Sequence, residues 1–294
     1  MSDGEEKKSG EEKNAATQDK PKKKKRSPLP FILIIAGCAV VLTIALVNII
    51  RTQMEYGHSA QVTNDAIDAI VVTEAPKETG SEQPEQEKPF RYDHQAALAK
   101  NPDAKGLIFI PANDLKLPIV QKLNDASNEY YLHRGFDGEY SRAGTVYIDT
   151  NIKDGLDARH VILYGHHMGD GTMFSDNDKY RDADYYKEAG HDVFYIYTPD
   201  SVREYKIFSV YTPEPTGDTY TLFGAPTETD EEQKKATDKQ FGEYVEKWKK
   251  YSFYDTGVDV SNAKQVVTLS SCDINTGYKL RLVVQGVLVN ETKV

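Results

Sequence analysis

The chain has 294 residues and a formal net charge of −10, from 46 acidic and 36 basic residues. This length accommodates one domain of ordinary size plus extensions, and the acidic balance argues against a general affinity for nucleic acid. The two cysteines, Cys38 and Cys272, are poor disulfide partners, because one lies in an apolar stretch and the other lies far along the polar part. No CxxC-type pair is present, which excludes that kind of metal site.

The first 88 residues divide into a polar tail, an apolar segment and a spacer. Residues 1–28 are rich in Lys, Glu and Gly and predict a disordered tail. Residues 29–50 carry no charge and are long enough to cross a membrane, so we expect a transmembrane helix. The basic run PKKKKR precedes this segment and only Arg51 follows it directly, which predicts a cytoplasmic N-terminus and an extracellular remainder. Residues 51–88, with weak helical patterning and then a Pro- and Glu-rich stretch, predict a stalk and linker.

Residues 89–294 predict one folded domain in which short strands dominate. A helix is expected over residues 90–100, and a polar turn at Asn113 and Asp114 joins the first two strands into a hairpin. About eight strands are expected, at residues 106–110, 117–121, 143–149, 160–164, 191–198 and 204–211, with two more within 265–288. Short strands with little helix between them indicate a closed or nearly closed, mostly antiparallel barrel.

One long helix is expected between the late strands, at about residues 229–250. Thr229 and Glu232 fit a capping box at its start. Four apolar residues at positions i, i+3, i+4 and i+7 then form a single stripe along the helix: Phe241, Tyr244, Val245 and Trp248. We expect this stripe to pack on the barrel rather than to bind a partner.

The last two strands combine a thiol with a guanidinium. In the segment TLSSC the side chains alternate, so Ser270 and Cys272 share one face of the strand. Arg281 opens the next strand, and if the two strands are neighbours it lies at the same end of the sheet as Cys272. A fixed positive charge favours the nucleophilic thiolate, or it faces the oxygen that becomes negative when a thiolate attacks a carbonyl. The alternative is a buried thiol that acts only as a small hydrophobic group.

The segment VILYGHHM ends an apolar strand with two adjacent histidines, His166 and His167. Adjacent strand residues point in opposite directions, so only one of these imidazoles can face the cysteine. A zinc site needs three or four converging ligands, and the other histidines of the chain have no regular spacing that provides them. We therefore expect no metal and no cofactor. A histidine that merely ends the strand is the alternative to a catalytic one.

Taken together, these segments resemble the sortases, the cysteine transpeptidases of Gram-positive cell surfaces. TLSSC resembles their TLxTC strand, with Ser271 in place of the threonine, and YGHHM resembles their YGHNM-type segment, with a histidine in place of the asparagine. The resemblance extends over about residues 89–289 and implies that His166, Cys272 and Arg281 are catalytic. The N-terminal helix and the long inserted helix are similar to those of class B sortases, which implies a sortase-like closed β-barrel.

Further segments resemble the substrate groove of class B enzymes. NEYYL resembles their NxxYL segment, which implies that Asn128 and Leu132 line the groove for the sorting signal. Ser270 matches a substrate-contacting serine. GTVYID resembles their GxxFxD strand, and GTMF follows the histidines as it does in the family. Without the resemblance, Leu132 is read as an ordinary core residue.

The resemblance implies a membrane-anchored transpeptidase that acts on secreted proteins. The Cys272 thiolate attacks the threonine carbonyl of a C-terminal sorting signal, His166 protonates the departing amine, and Arg281 steadies the carbonyl or its oxyanion. An amine of a peptidoglycan precursor then resolves the thioester. The sorting motif stays open between NPxTN-like and xPxTG-like, and so does the acceptor amine.

Two kinds of alternative function compete with the transpeptidase interpretation. A papain-like peptidase would have an early cysteine at a helix start, and an L,D-transpeptidase would have an SHGC-type segment; the sequence matches neither. A tethered β-barrel that binds a wall polymer without catalysis is the alternative from a different functional class. Labelling of Cys272 by a thiol-reactive sorting peptide separates it from the enzyme.

Overall fold

The computed structural model describes residues 29–72, 90–214, 217–225, 231–272, 277 and 279–294. The chain forms two compact units, Met1–Ile50 and Arg51–Val294. The predicted tail at residues 1–28 and the Pro- and Glu-rich stretch at 73–88 lie outside the described residues.

The first helix, α1 (Leu29–Ile70), is 42 residues long. Within the described part of the chain it is the one helix long and apolar enough to span a membrane. In the first unit its large apolar side chains are exposed; Phe31, for example, is 72% exposed. In the second unit its residues from Arg51 onward pack against the barrel, and Ser59, Ala66 and Ile70 are buried. The compact second unit thus begins earlier in the chain than the expected boundary at residue 89.

Eight strands form a closed barrel, as predicted. Outside it, β1 (Val71–Val72) and β2 (Arg91–Tyr92) form a two-residue antiparallel pair. The barrel strands are β3 (Ala104–Ile110), β4 (Leu115–Val120), β5 (Val146–Ile148), β6 (His160–Tyr164), β7 (Val193–Tyr197), β8 (Ser201–Tyr211), β9 (Val266–Cys272) and β10 (Arg281–Lys293). Their order around the barrel is β10, β8, β7, β3, β4, β5, β6, β9. Most neighbours are antiparallel, but the β4–β5 and β6–β9 pairs are parallel.

In the described parts of the chain, two short helices and four 3-10 turns connect the strands. Helix α2 (His94–Lys100) starts later than expected, because residues 91–92 pair with β1; Asp93 caps it by accepting a hydrogen bond from the Ala96 amide at 3.0 Å. Helix α3 (Ala183–Tyr186) is a single turn. The 3-10 turns are Pro111–Asn113, Gly155–Asp157, Ser175–Arg181 and Asp218–Tyr220.

The long helix α4 (Glu231–Tyr251) lies between β8 and β9 in the chain, as expected. Phe241, Val245 and Trp248 are buried in one cluster with residues of the outer barrel face, and Tyr244 is partly buried against the same cluster. The predicted stripe therefore packs on the barrel. Thr229 of the proposed capping box lies outside the described residues.

Side chains along β9 point alternately to the two faces of the barrel wall, and this alternation decides which face Cys272 lies on. Val267 and Leu269 belong to the core cluster inside the barrel. Thr268, Ser270 and Cys272 consequently lie on the other face of the strand. Full burial of an aliphatic side chain stabilises a fold by about 1.5–3 kcal/mol, so the core contacts hold this orientation of the strand.

Candidate active site

The thiol and the guanidinium are neighbours across two antiparallel strands. Arg281 lies directly opposite Cys272 in the register of β9 and β10. Its Nη1 donates a hydrogen bond to Cys272 Sγ at 2.8 Å, and the thiol is half-buried. A guanidinium has five N–H donors in a planar fork, so Arg281 can contact the sulfur and still donate to an oxygen beside it.

The histidine segment reaches the same end of the barrel from the opposite side of β9. Strand β6 runs parallel to β9, with Tyr164 aligned with Ser270. The Gly165 amide continues this ladder by donating to the Ser270 carbonyl at 3.1 Å. His166 and Cys272 are each two residues beyond the last aligned pair, so the parallel register brings them to the same end.

The imidazole of His166 is held from two sides. Its Nε2 donates to the Leu132 carbonyl at 2.8 Å, since a carbonyl can only accept. The His133 ring stacks on it, with ring centroids 5.3 Å apart and planes 25° apart. Burial lowers the pKa of His166, and the charges of His133, Arg281 and Arg142 lower it further, while the bond to Leu132 raises it. The imidazole is therefore mostly neutral at neutral pH, with Nδ1 left as an acceptor.

The second histidine has different partners. His167 Nε2 lies 2.8 Å from Asp178 Oδ2, and the backbone of His167 forms a bridge with Met173. The charge of Arg281 contributes to the lowered pKa of His166, and the register of β6 and β9 brings His166 to the end of β9 that carries Cys272. The two adjacent imidazoles therefore have different partners.

The three residues predicted to bind substrate lie in different surroundings. Ser270 is buried, and its hydroxyl is 3.2 Å from the Tyr220 hydroxyl. Leu132 is partly buried against a core cluster and provides the carbonyl that holds His166. Asn128 donates to Asp149 at 3.0 Å and accepts from the Thr150 amide at 2.9 Å, so both ends of its side-chain amide are engaged within the protein.

A group of tyrosines beside the site is absent from the sequence-based prediction. The rings of Tyr164 and Tyr220 stack with centroids 6.4 Å apart, and the Tyr164 hydroxyl donates to Asp149 at 3.1 Å. Burial raises the pKa of Tyr220, while the nearby charge of Arg281 lowers it. Tyr220 is 50 residues from Ser270 in the chain, and no spacing in the sequence connects the two.

Comparison with known proteins gives the same family throughout. A family model described as the sortase domain matches residues 108–289. Sortase B of Listeria monocytogenes is 37% identical over 193 residues, which are 65% of this chain and 72% of that protein. Sortase B of Staphylococcus aureus is 27% identical over 173 residues, 59% of this chain and 64% of that protein. A crystal structure of sortase B from Bacillus anthracis superposes with a TM-score of 0.61 at 28% identity, covering 81% of this chain and 99% of that one.

The family match covers more than half of the chain, and the closed mixed barrel with its N-terminal helix is the architecture of the sortase B structures. Family membership also decides between the two functional classes weighed above, in favour of an enzyme over a non-catalytic wall-binding module. The chain belongs to the sortase family of cysteine transpeptidases, and its relatives are class B sortases.

Proposed function

We propose that this protein cleaves the C-terminal sorting signal of secreted proteins after threonine and joins them to an amine of the cell-wall peptidoglycan. The contact of 2.8 Å between Arg281 Nη1 and Cys272 Sγ, at the barrel end where His166 lies, is the observation that supports the proposal most directly. Acyl transfer through a thioester uses a nucleophile, a proton carrier and a donor to the developing oxyanion, and Cys272, His166 and Arg281 can supply these three roles.

In the first step, the Cys272 thiolate attacks the threonine carbonyl carbon and a sulfur–carbon bond forms. The carbonyl oxygen becomes negative and receives a hydrogen bond from Arg281. The carbon–nitrogen bond after threonine then breaks, and the departing amine takes a proton from the His166 imidazolium. The products are a thioester on Cys272, a neutral His166 and the released C-terminal peptide.

In the second step, an amine of a peptidoglycan precursor attacks the thioester. His166 accepts the proton that the amine loses, and Cys272 leaves as a thiolate, so that the starting protonation states return. Because the pKa of His166 is lowered, its imidazolium is a minority form at neutral pH. Only a fraction of the molecules is therefore ready to react at any moment.

We assign the sorting signal to a groove that includes Asn128, Leu132 and Ser270. Tyr220 joins this set because its hydroxyl lies 3.2 Å from that of Ser270. The sorting motif is NPxTN-like or xPxTG-like. In this assignment Leu132 has two roles: its side chain contacts the substrate, and its carbonyl accepts the hydrogen bond from His166.

The first half of α1 is assigned as a single-pass membrane anchor. The basic residues before it favour an N-terminus in the cytoplasm and a catalytic domain outside the cell. Secreted substrates and cell-wall precursors both reach an enzyme held at that surface. The partners are therefore proteins with a C-terminal sorting signal and the precursor amine, and the membrane itself through α1; nucleic acid is not among them.

The test is mass spectrometry of the protein incubated with a sorting-peptide library and candidate amines. We expect an acyl adduct on Cys272 that disappears when the correct amine is added. Cys272→Ala abolishes the adduct and the turnover, whereas the matched variant Cys38→Ser retains both, because Cys38 lies in the apolar part of α1. Wild-type turnover in Cys272→Ala would refute the assignment.

A further inference from the structure

Residues 51–70 of α1, called here the docked segment, contact one particular loop of the barrel domain. Ser141 donates a buried hydrogen bond of 2.9 Å to Ser59. The Arg142 guanidinium forms an ion pair with Glu55 at 3.3 Å and lies over the Tyr56 ring, 5.4 Å from its centroid. The helix residues and the loop residues that form this contact both belong to the second compact unit.

The same helix also contacts the middle of the loop that contains Ser141 and Arg142. A Cβ added to the buried Gly135 would lie 2.9 Å from Val62 Cγ1, so glycine allows the close approach of the helix. Further along, Ala66 and Ile70 share a core cluster with Phe136. The segment of residues 131–142, called here the support loop, is therefore held against the helix at its middle and at its C-terminal end.

The other side of the support loop holds His166. The Leu132 carbonyl accepts from its Nε2 at 2.8 Å, and the His133 ring stacks on it at 5.3 Å. The docked segment also reaches the loop that follows the histidines, because a Cβ at Gly169 would lie 3.8 Å from the Tyr56 hydroxyl. Both loops beside the imidazole thus contact the same stretch of helix.

We propose that the docked segment is a positioning element for His166, and that Tyr56 and Ser59 fix the support loop that orients its ring. This inference rests on the proposed catalytic role of His166. Within the described residues, the support loop has a single isolated bridge, between Arg134 and Tyr140, and lies outside the barrel strands. A loop without a strand ladder depends on other contacts to hold it. Asn101 donates to the Phe136 carbonyl and Thr145 donates to the Arg134 carbonyl, and the contacts with α1 hold the part of the loop that contains Ser141 and Arg142.

The experiment uses the full chain in detergent micelles and compares Ser59→Leu and Tyr56→Leu with Gln61→Leu. Gln61 is exposed on the same helix and is the matched control. We expect kcat to fall by about tenfold or more in the first two variants while KM changes little, because small misplacements of a catalytic group cost up to about 10²-fold. Gln61→Leu keeps the wild-type kcat.

A second readout follows the His166 ring itself by NMR of histidine-labelled protein, with its signal assigned from the signal lost in His166→Gln. Release of the support loop exposes the ring to water and moves Arg142 away, which raises the pKa of His166, and it weakens the Leu132 hydrogen bond, which lowers that pKa. Burial is the largest of these influences, so the net change is upward, toward the ordinary value. Charged groups facing the ring are His133, Arg281 and Arg142. The titration is therefore expected to move to higher pH in Ser59→Leu and Tyr56→Leu only.

The outcomes separate this inference from the proposed function. An unchanged His166 titration and kcat in both helix variants overturns the inference, even if their melting temperatures fall. If Ser59→Leu does not fold, Tyr56→Leu, which keeps an apolar side chain, decides the matter by the same criteria. Full turnover in His166→Ala would instead overturn the catalytic role of His166, while a shifted titration would still support the positioning of its ring.

Discussion

Acid is expected to destabilise the barrel through one buried histidine outside the active site. The His160 ring is fully buried, its Nδ1 donates to the Thr221 carbonyl at 2.7 Å, and its Nε2 accepts from the Thr268 hydroxyl at 2.7 Å. Gln285 donates a hydrogen bond of 2.9 Å to the same Thr268 hydroxyl, whose oxygen therefore already acts as an acceptor. A proton on Nε2 would force Thr268 to give up its donor role, so the site fits the neutral ring.

The magnitude follows from the pKa of His160, which burial lowers from 6.5 to about 4. Below pH 6.5 the unfolded chain binds a proton at this residue and the folded protein does not, so the free energy of unfolding falls as the pH falls. The stability that the neutral His160 ring contributes to the folded protein is fully present above pH 6.5 and is lost as the pH falls through about 4. At about 1.4 kcal/mol for each pKa unit, the full loss is about 3.5 kcal/mol, and about 2.5 kcal/mol of it is reached by pH 4.5.

The assay is urea unfolding between pH 7 and pH 4.5, followed by fluorescence of the single tryptophan, Trp248, which is fully buried. His160→Gln removes the titrating group, and its stability should fall less steeply with acid than that of the wild type, by about 2.5 kcal/mol over this range. His58→Gln, a change at an exposed histidine of α1, should follow the wild type. Parallel curves for wild type and His160→Gln would refute the argument.

The remaining predictions concern the active site. Arg281→Lys should lower kcat by about 10²-fold, because an ammonium cannot donate to the sulfur and the oxyanion through one planar fork; near-normal activity in a peptide-cleavage assay would remove Arg281 from the mechanism. Among single alanine variants, His166→Ala should lose nearly all turnover and His167→Ala little, because His167 is bound to Asp178. Equal losses in the two variants would contradict the separate roles of the two rings.

The barrel strands were predictable because each has a local signal. An apolar run that ends at Gly165 predicted β6 at its observed limits, His160–Tyr164. Alternation along β9 predicted that Cys272 lies on the face opposite Val267 and Leu269. The stripe on α4 was predictable for the same reason, since its period matches the helix. The parallel pairing of β6 with β9 has no such local signal, because the paired residues lie more than 100 positions apart, as in the His160–Thr268 contact.

The docking of α1 and the position of Tyr220 were not predictable from the sequence. The buried face of the docked segment includes the small residues Ser59 and Ala66, so the apolar periodicity that reveals an amphipathic helix is weak there. Tyr220 lies in a 3-10 turn of three residues, too short for any periodic pattern. In both cases the tertiary contact determines the structure, and the local sequence carries little of that information.

The geometry of the site depends on β9, which has both partner strands of the site as its neighbours. Its parallel pairing with β6 brings in His166, and its antiparallel pairing with β10 brings in Arg281. A shift of one residue in β9 would turn Cys272 toward the barrel interior and Leu269 outward, because strand side chains alternate. Burial of Val267 and Leu269 opposes that shift by about 1.5–3 kcal/mol for each side chain. The packing of the barrel core is therefore what holds the sulfur opposite the guanidinium.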